Sequence, residues 1–106
     1  MAKSLSNSMV SKMEGVCPQV SELLKALSHP GRLLILIHLT ETEKSVSELQ
    51  TATGLSQSQL SQFLNRMRGE GLVQSRTQGR FRYYSVSDAR LARLIVSIHS
   101  IYCMKR

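Results

Sequence analysis

The chain has 106 residues, which is the size of one small domain. Its 14 Lys and Arg outnumber its 7 Asp and Glu, and the formal net charge of +7 favours an anionic partner such as nucleic acid or a membrane surface. No apolar run is long enough to span a membrane, and the first residues lack the apolar core of a secretory signal, so we expect a cytoplasmic protein with reduced cysteines.

The amino-terminal part is predicted to contain a flexible segment and then two helices. Residues 1–8 are expected to be flexible, and a single domain is expected to span residues 9–106. Residues 9–16 are predicted to be helical. Pro18 then suits the first position of a new helix, with Cys17 as its N-cap.

Apolar spacing predicts how the helix that begins at Pro18 and the helix after it are buried. Pro30 opens a helix over residues 31–39 that is apolar on nearly every side, so we expect it to be the centre of the domain. The helix before it has one apolar side, which consists of Val20, Leu23, Leu24 and Leu27.

Two short helices joined by a tight turn are predicted next. Ser45 and Glu48 form a capping box at the start of the first helix, and Gly54 suits its C-terminal end. Ser56 and Gln59 form a second capping box, which begins another helix. The pattern therefore predicts a helix-turn-helix.

The second of these helices has two unlike faces when its residues are placed at about 100° intervals. One face is apolar and consists of Leu60, Phe63, Leu64 and Met67. The other lacks the Glu and Lys pairs of an ordinary solvent-facing helix and carries side-chain types that read base edges or hold phosphates. It is predicted to bind DNA, and the alternative is a polar helix without a partner. The predicted residues are Ser56, Gln57, Ser58, Ser61, Gln62, Asn65, Arg66 and Arg68.

A β-hairpin is predicted over residues 72–78 and 80–86, with Gly79 at its tip. Residue types alternate along it, so one face can pack and the other can meet solvent or DNA. Arg76, Arg80 and Arg82 cluster on this hairpin, which is therefore predicted to be a wing that contacts phosphate or the minor groove. The alternative is an ordinary solvated charge cluster.

Ser87 is predicted to cap a last helix over residues 88–104. This helix carries two apolar stripes. Either one stripe packs against the core of its own subunit and the other against a partner subunit, or both belong to one broad core face. The first stripe is Leu91, Leu94, Ile95, Ile98 and Ile101 or Tyr102, and the second is Ala92, Val96, His99 and Cys103.

Four stretches, residues 24–36, 54–64, 71–76 and 79–84, together resemble the ArsR/SmtB family of bacterial winged-helix repressors, and within it the persulfide- and redox-responsive subgroup of BigR, HlyU and SqrR. The resemblance implies a mainly α (α+β) fold, a winged helix-turn-helix with a two-stranded β-wing that dimerises through its first and last helices. It also implies operator binding that blocks transcription and is relieved, or sometimes reversed, by a chemical signal.

The metal sites of the family are not matched. Ser45 and Ser47 stand where a thiolate site would need cysteines, and hydroxyls are poor ligands for soft metals. Asp88 matches the first ligand of a zinc site on the last helix, but Arg90 stands at the next position and cannot ligate zinc. We therefore expect no metal site and no cofactor.

The persulfide-sensing subgroup uses two cysteines, whose positions hold Ile37 and Cys103 here. Cys17 lies elsewhere, but it can approach Cys103 within or between subunits if the first and last helices meet as in the family. A helix N-terminus at Cys17 would favour its thiolate, so a redox switch at Cys17 and Cys103 is predicted. The alternatives are two unrelated thiols, or As(III) or a soft metal held by two cysteines from each chain.

The predicted function is that of a homodimeric repressor whose recognition helices bind two-fold related half-sites of a double-stranded DNA operator. The alternatives are a regulator without any inducer site and a winged helix used as a protein-interaction module. No phosphate loop, carboxylate pair or nucleophile-base arrangement is visible, so no enzymatic activity is expected. Base contacts are expected from Gln57, Ser58 and Gln62, contacts of either kind from Ser61 and Asn65, and phosphate or minor-groove contacts from Arg66, Arg68, Arg80 and Arg82.

Overall fold

The computed structural model describes residues 4–104. No helix in that range is long and apolar enough to cross a membrane. Of the segment predicted to be flexible, residues 1–3 lie outside the described part. The elements are α1 (Asn7–Leu27), α2 (Pro30–Glu41), β1 (Lys44–Ser45), α3 (Val46–Thr53), α4 (Gln57–Gly69), β2 (Val73–Gln78), β3 (Phe81–Val86) and α5 (Ala89–Tyr102).

The first helix is one continuous element, which corrects the predicted break at Cys17. Helix α1 begins two residues earlier than predicted, because the Ser6 side chain caps it by accepting a hydrogen bond from the Met9 amide, and Pro18 lies inside it. Pro18 removes one helical hydrogen bond, the one to the carbonyl of Glu14. This part of α1 is exposed, so water can replace the missing donor.

The core forms around α2, as its apolar sequence predicts. Ile35 and Leu36 of α2 are fully buried, and α4 adds three fully buried side chains to the same cluster. The apolar face of α4 is therefore confirmed as the face that attaches this helix to the core. Its three fully buried members are Leu60, Leu64 and Met67.

The three strands form an antiparallel sheet in the order β1-β3-β2. The predicted hairpin is confirmed, and the two-residue strand β1 adds a third strand that the sequence pattern does not predict. Tyr84 and Val73 are buried at the base of the hairpin, whereas Phe81 near its tip is exposed. The packing face is therefore the one that carries Tyr84, and Arg82 lies on the same face because side chains alternate along a strand.

Local hydrogen bonds define the helix ends. Both predicted capping boxes are present, and Gly54 adopts the left-handed conformation, with φ at +74°, where α3 ends. At α5 the prediction of a Ser87 cap is wrong. Asp88 accepts the hydrogen bond of the Arg90 amide at 2.9 Å, while the Ser87 hydroxyl donates to the Gly71 carbonyl at 2.8 Å. Hydrogen bonds from the Arg90 side chain also hold the pKa of Asp88 below its usual range.

Candidate DNA-binding surface

The ten side chains predicted to contact DNA are all exposed. On α4, Ser58, Gln62 and Asn65 lie on the side opposite the buried apolar face, as helical spacing requires. Ser56 has a structural role as well, because its hydroxyl accepts the hydrogen bond of the Gln59 amide at 3.1 Å. The Gln59 side chain returns a hydrogen bond by accepting from the Ser56 amide at 3.0 Å, so Gln59 serves the cap.

The charge on this surface is left without acidic partners. Helix α4 contains no Asp or Glu. In residues 4–104, four ion pairs form, and they neutralise Arg32, Lys44, Arg76 and Arg90. None of them includes the four arginines predicted to contact phosphate or the minor groove. Those four, available for an anionic ligand, are Arg66, Arg68, Arg80 and Arg82.

The position of α4 is set by contacts along its length. Arg32 of α2 is buried and forms an ion pair with Glu70, the residue that ends α4. In the middle, the Phe63 ring lies against α2 at Gly31, where an added Cβ would come within 2.9 Å of the ring atom Cε2. Only glycine leaves room for Phe63 at this distance. Together with the capping box, these contacts hold the exposed face of α4 in one orientation.

Arg76, which the sequence groups with Arg80 and Arg82, differs from them because its guanidinium is bonded within the protein. Its Nε donates to Glu43 Oε2 at 3.0 Å, a terminal nitrogen donates to Glu43 Oε1, and the other donates to Gln78 Oε1 at 2.7 Å. Its guanidinium lies over the Tyr83 ring, 5.0 Å from the ring centre. The hydrogen bonds from Arg76 hold the pKa of Glu43 below its usual range. Sequence patterns do not reveal this arrangement, because Glu43 and Arg76 are 33 residues apart.

Both cysteines are free and exposed. Cys17 lies in the middle of α1, so the helix N-terminus that was predicted to favour its thiolate is not there. Cys103 ends α5, and its amide donates to the His99 carbonyl at 2.8 Å. Within residues 4–104, no cluster of three or more His, Cys, Asp or Glu side chains is placed to hold a metal ion.

Large apolar side chains are also exposed on α1 and on α5. On α1, the exposed residues Met9, Val10, Met13 and Val16 follow one another at intervals of one, three and three positions, so they form one stripe along the helix. Large apolar side chains exposed in such a continuous row indicate a surface that another protein covers. We define the apolar surface of α1 and α5 as Met9, Val10, Met13, Val16, Val96, Ile101 and Tyr102.

Comparison with known proteins identifies the family. Residues 29–75 match the family model described as bacterial regulatory protein, arsR family. The HTH-type transcriptional regulator YgaV of Escherichia coli is 39% identical over 95 residues, which cover 89% of this chain and 96% of that protein.

Solved structures show the same fold. The crystal structure of the transcriptional repressor BigR from Xylella fastidiosa matches with a TM-score of 0.84 and 37% identity, over 90% of this chain and 97% of that one. The NMR structure of a homodimeric winged helix-turn-helix DNA-binding domain from Mycobacterium bovis matches with a TM-score of 0.70 and 30% identity, over 95% of this chain and 89% of that one. The chain therefore belongs to the ArsR family of bacterial transcriptional regulators, which bind DNA and are not enzymes.

Proposed function

We propose that this regulator is a homodimeric repressor that reads an operator through α4 and the wing formed by β2 and β3. The observation that carries the proposal is the outward face of α4, which is polar, exposed and free of acids. Four arginines without acidic partners accompany it on α4 and the wing. BigR, which is named a repressor, and the homodimeric Mycobacterium bovis domain support the same reading.

The proposal divides the surface by chemistry. Amide and hydroxyl side chains read bases because they can both donate and accept hydrogen bonds at base edges, and we assign this role to Gln57, Ser58 and Gln62. Ser61 and Asn65 suit either bases or phosphates. Guanidinium groups neutralise phosphates and enter narrow minor grooves without needing a particular base. We assign that role to Arg66, Arg68, Arg80 and Arg82.

Gln62→Ala is expected to cost about 1–3 kcal/mol of binding free energy on the operator and little on random duplexes, because it removes a base contact and leaves the charge unchanged. The operator is first obtained by selection from a random duplex pool. Affinities are then measured by fluorescence anisotropy on the selected duplex and on a scrambled duplex. An equal loss on both would exclude base reading by Gln62.

Arg80→Ala is the matched comparison in that experiment. Because Arg80 is assigned to phosphate or the minor groove, its loss should weaken both duplexes alike and reduce the slope of log K against log salt by about one unit. The Gln62 variant should keep the parent slope. An unchanged slope for Arg80→Ala would remove this residue from the phosphate contacts.

We further propose that oxidation of Cys17 and Cys103 controls operator binding. The support is their location, since both thiols are exposed, Cys17 lies on α1 and Cys103 caps the end of α5. We propose that the apolar surface of these two helices forms the dimer interface. With hydrogen peroxide, two thiols form one disulfide, and the peroxide takes up their two protons and two electrons to become two water molecules. With a small-molecule persulfide, one thiol takes the outer sulfur and releases the small thiol, and the second thiol then attacks the protein persulfide and releases hydrogen sulfide to leave the same disulfide. Such a link would tie α1 to the end of α5, within one subunit or between two subunits.

Peroxide or persulfide treatment is therefore expected to change operator affinity in the parent, with a Cys17–Cys103 link detected by mass spectrometry. The control is the double variant Cys17→Ser, Cys103→Ser, which should keep its affinity under treatment. If this variant responds like the parent, the thiols do not control DNA binding.

A further inference from the structure

We propose that Glu43 and Arg76 form a clasp that orients the wing relative to the helix-turn-helix, so that both residues position the wing and neither contacts DNA. This inference rests on the proposed function and deepens it. On the hairpin, Arg80 and Arg82 lack acidic partners, whereas Arg76 makes three hydrogen bonds within the protein.

The clasp spans the whole sheet. Strands β1 and β2 lie on opposite edges of β3, and Glu43 immediately precedes β1 while Arg76 lies in β2. In the register, Tyr83 of β3 is opposite Arg76 on one side and opposite Ser45 on the other. The Arg76 guanidinium therefore crosses the middle strand above the Tyr83 ring to reach Glu43.

The two ends of the clasp belong to the two parts that are proposed to contact DNA. Glu43 precedes Ser45, the residue that caps α3, the first helix of the helix-turn-helix. Arg76 also donates to Gln78, the last residue of β2, which is followed by Gly79 at the tip of the wing. One guanidinium thus connects the start of α3 with the end of the wing.

The wing needs such a connection because little else holds its outer half. Residues 76–82 are all exposed, so the core does not support them. A two-stranded hairpin without a packed face is marginally stable in water. The direction of the wing therefore depends on side chains that tie it to the rest of the sheet, and Arg76 is placed to do this in a bidentate and stacked geometry that only arginine supplies.

Glu43→Gln tests the clasp because two models predict opposite results. If the clasp orients the wing, the variant should bind the selected operator about fivefold more weakly, as for loss of one well-formed surface ion pair. If Arg76 is instead a phosphate ligand that Glu43 restrains, removing the acid frees a cation. Binding should then become tighter on every duplex, with a salt slope steeper by about one unit.

Glu41→Gln is the matched control. It also removes one negative charge and one ion pair, with Lys44 at 3.1 Å, but it does not involve the wing. We expect it to leave operator affinity within about twofold of the parent, which is within the range for an exposed pair. A loss equal to that of Glu43→Gln would show that the effect is not specific to the clasp and would overturn it, because removal of an acid alone should not weaken binding to a polyanion.

Arg76→Lys supplies the second variant. Lysine keeps the charge but not the bidentate, stacked geometry, so operator affinity should fall as in Glu43→Gln. The double variant Glu43→Gln, Arg76→Lys should lose no more operator affinity than either single variant, because both changes break the same contact. Full affinity in Arg76→Lys would overturn the clasp. A parent protein that binds no duplex selectively would instead overturn the proposed function, so the two failures are distinguishable.

Discussion

Leu64→Ala is expected to lower the free energy of unfolding by about 2–5 kcal/mol and to weaken DNA binding with it. Leu64 is fully buried at the centre of the face that attaches α4 to the core. Its truncation loses the transfer free energy of the removed atoms and leaves a cavity in the buried cluster to which Leu64 belongs. Because a small domain is stable by about 5–15 kcal/mol, this one change removes a large part of its stability.

Urea unfolding followed by circular dichroism measures the effect. Leu64→Met, which nearly conserves volume, should cost less than about 1.5 kcal/mol. Asn65→Ala changes the neighbouring exposed residue and should leave the free energy of unfolding within about 0.5 kcal/mol. Because dimerisation adds to stability, all variants are compared at one protein concentration. An unchanged midpoint for Leu64→Ala would show that the apolar face of α4 does not hold the helix to the core.

The features of the fold that sequence predicts well are those set by near neighbours along the chain. The capping boxes at Ser45 and Ser56 each depend on a residue three positions later, and Gly54 acts on its own backbone. The burial of Leu60 and Leu64 follows from helical spacing alone. These signals act within one or two helical turns, so no tertiary information is needed to read them.

The features that sequence misses are decided by competition or by distant partners. Pro18 suits either a helix start or a solvent-exposed position inside a helix, and the exposure of α1 allows the second. Ser87 and Asp88 are both good caps, and the choice follows from the Gly71 carbonyl, which takes the Ser87 hydroxyl. Strand β1 and the Glu43–Arg76 clasp require the folded sheet.

The core also connects the two proposed surfaces. Leu91 and Ile95 in the first half of α5, and Leu27 at the end of α1, belong to the same buried cluster as Leu60 and Leu64 of α4. A change in how α1 and α5 pack against a second subunit would therefore act on the same buried cluster that holds α4 in place. Tightly packed interiors transmit strain, so this cluster would link the proposed dimer interface with the proposed DNA-binding face.

Ile101→Glu is expected to separate the proposed dimer into monomers. Ile101 is 73% exposed on α5, beside Tyr102 at 81%, which are unusual exposures for large apolar side chains unless a partner covers them. Burying one such side chain contributes about 1.5–3 kcal/mol, and two-fold symmetry doubles it. Loss of both copies should raise the dimer dissociation constant by about 10²- to 10⁴-fold, as measured by sedimentation equilibrium.

Loss of the dimer should carry over to DNA because two linked recognition helices bind the second half-site at a high effective concentration. The Ile101→Glu variant should therefore bind the full operator no more tightly than a single half-site. Its unfolding should stay cooperative, since Ile101 lies outside the core of the chain. Ile101→Leu keeps the apolar contact and should remain dimeric. A dimeric Ile101→Glu variant with full operator affinity would place the interface away from the end of α5.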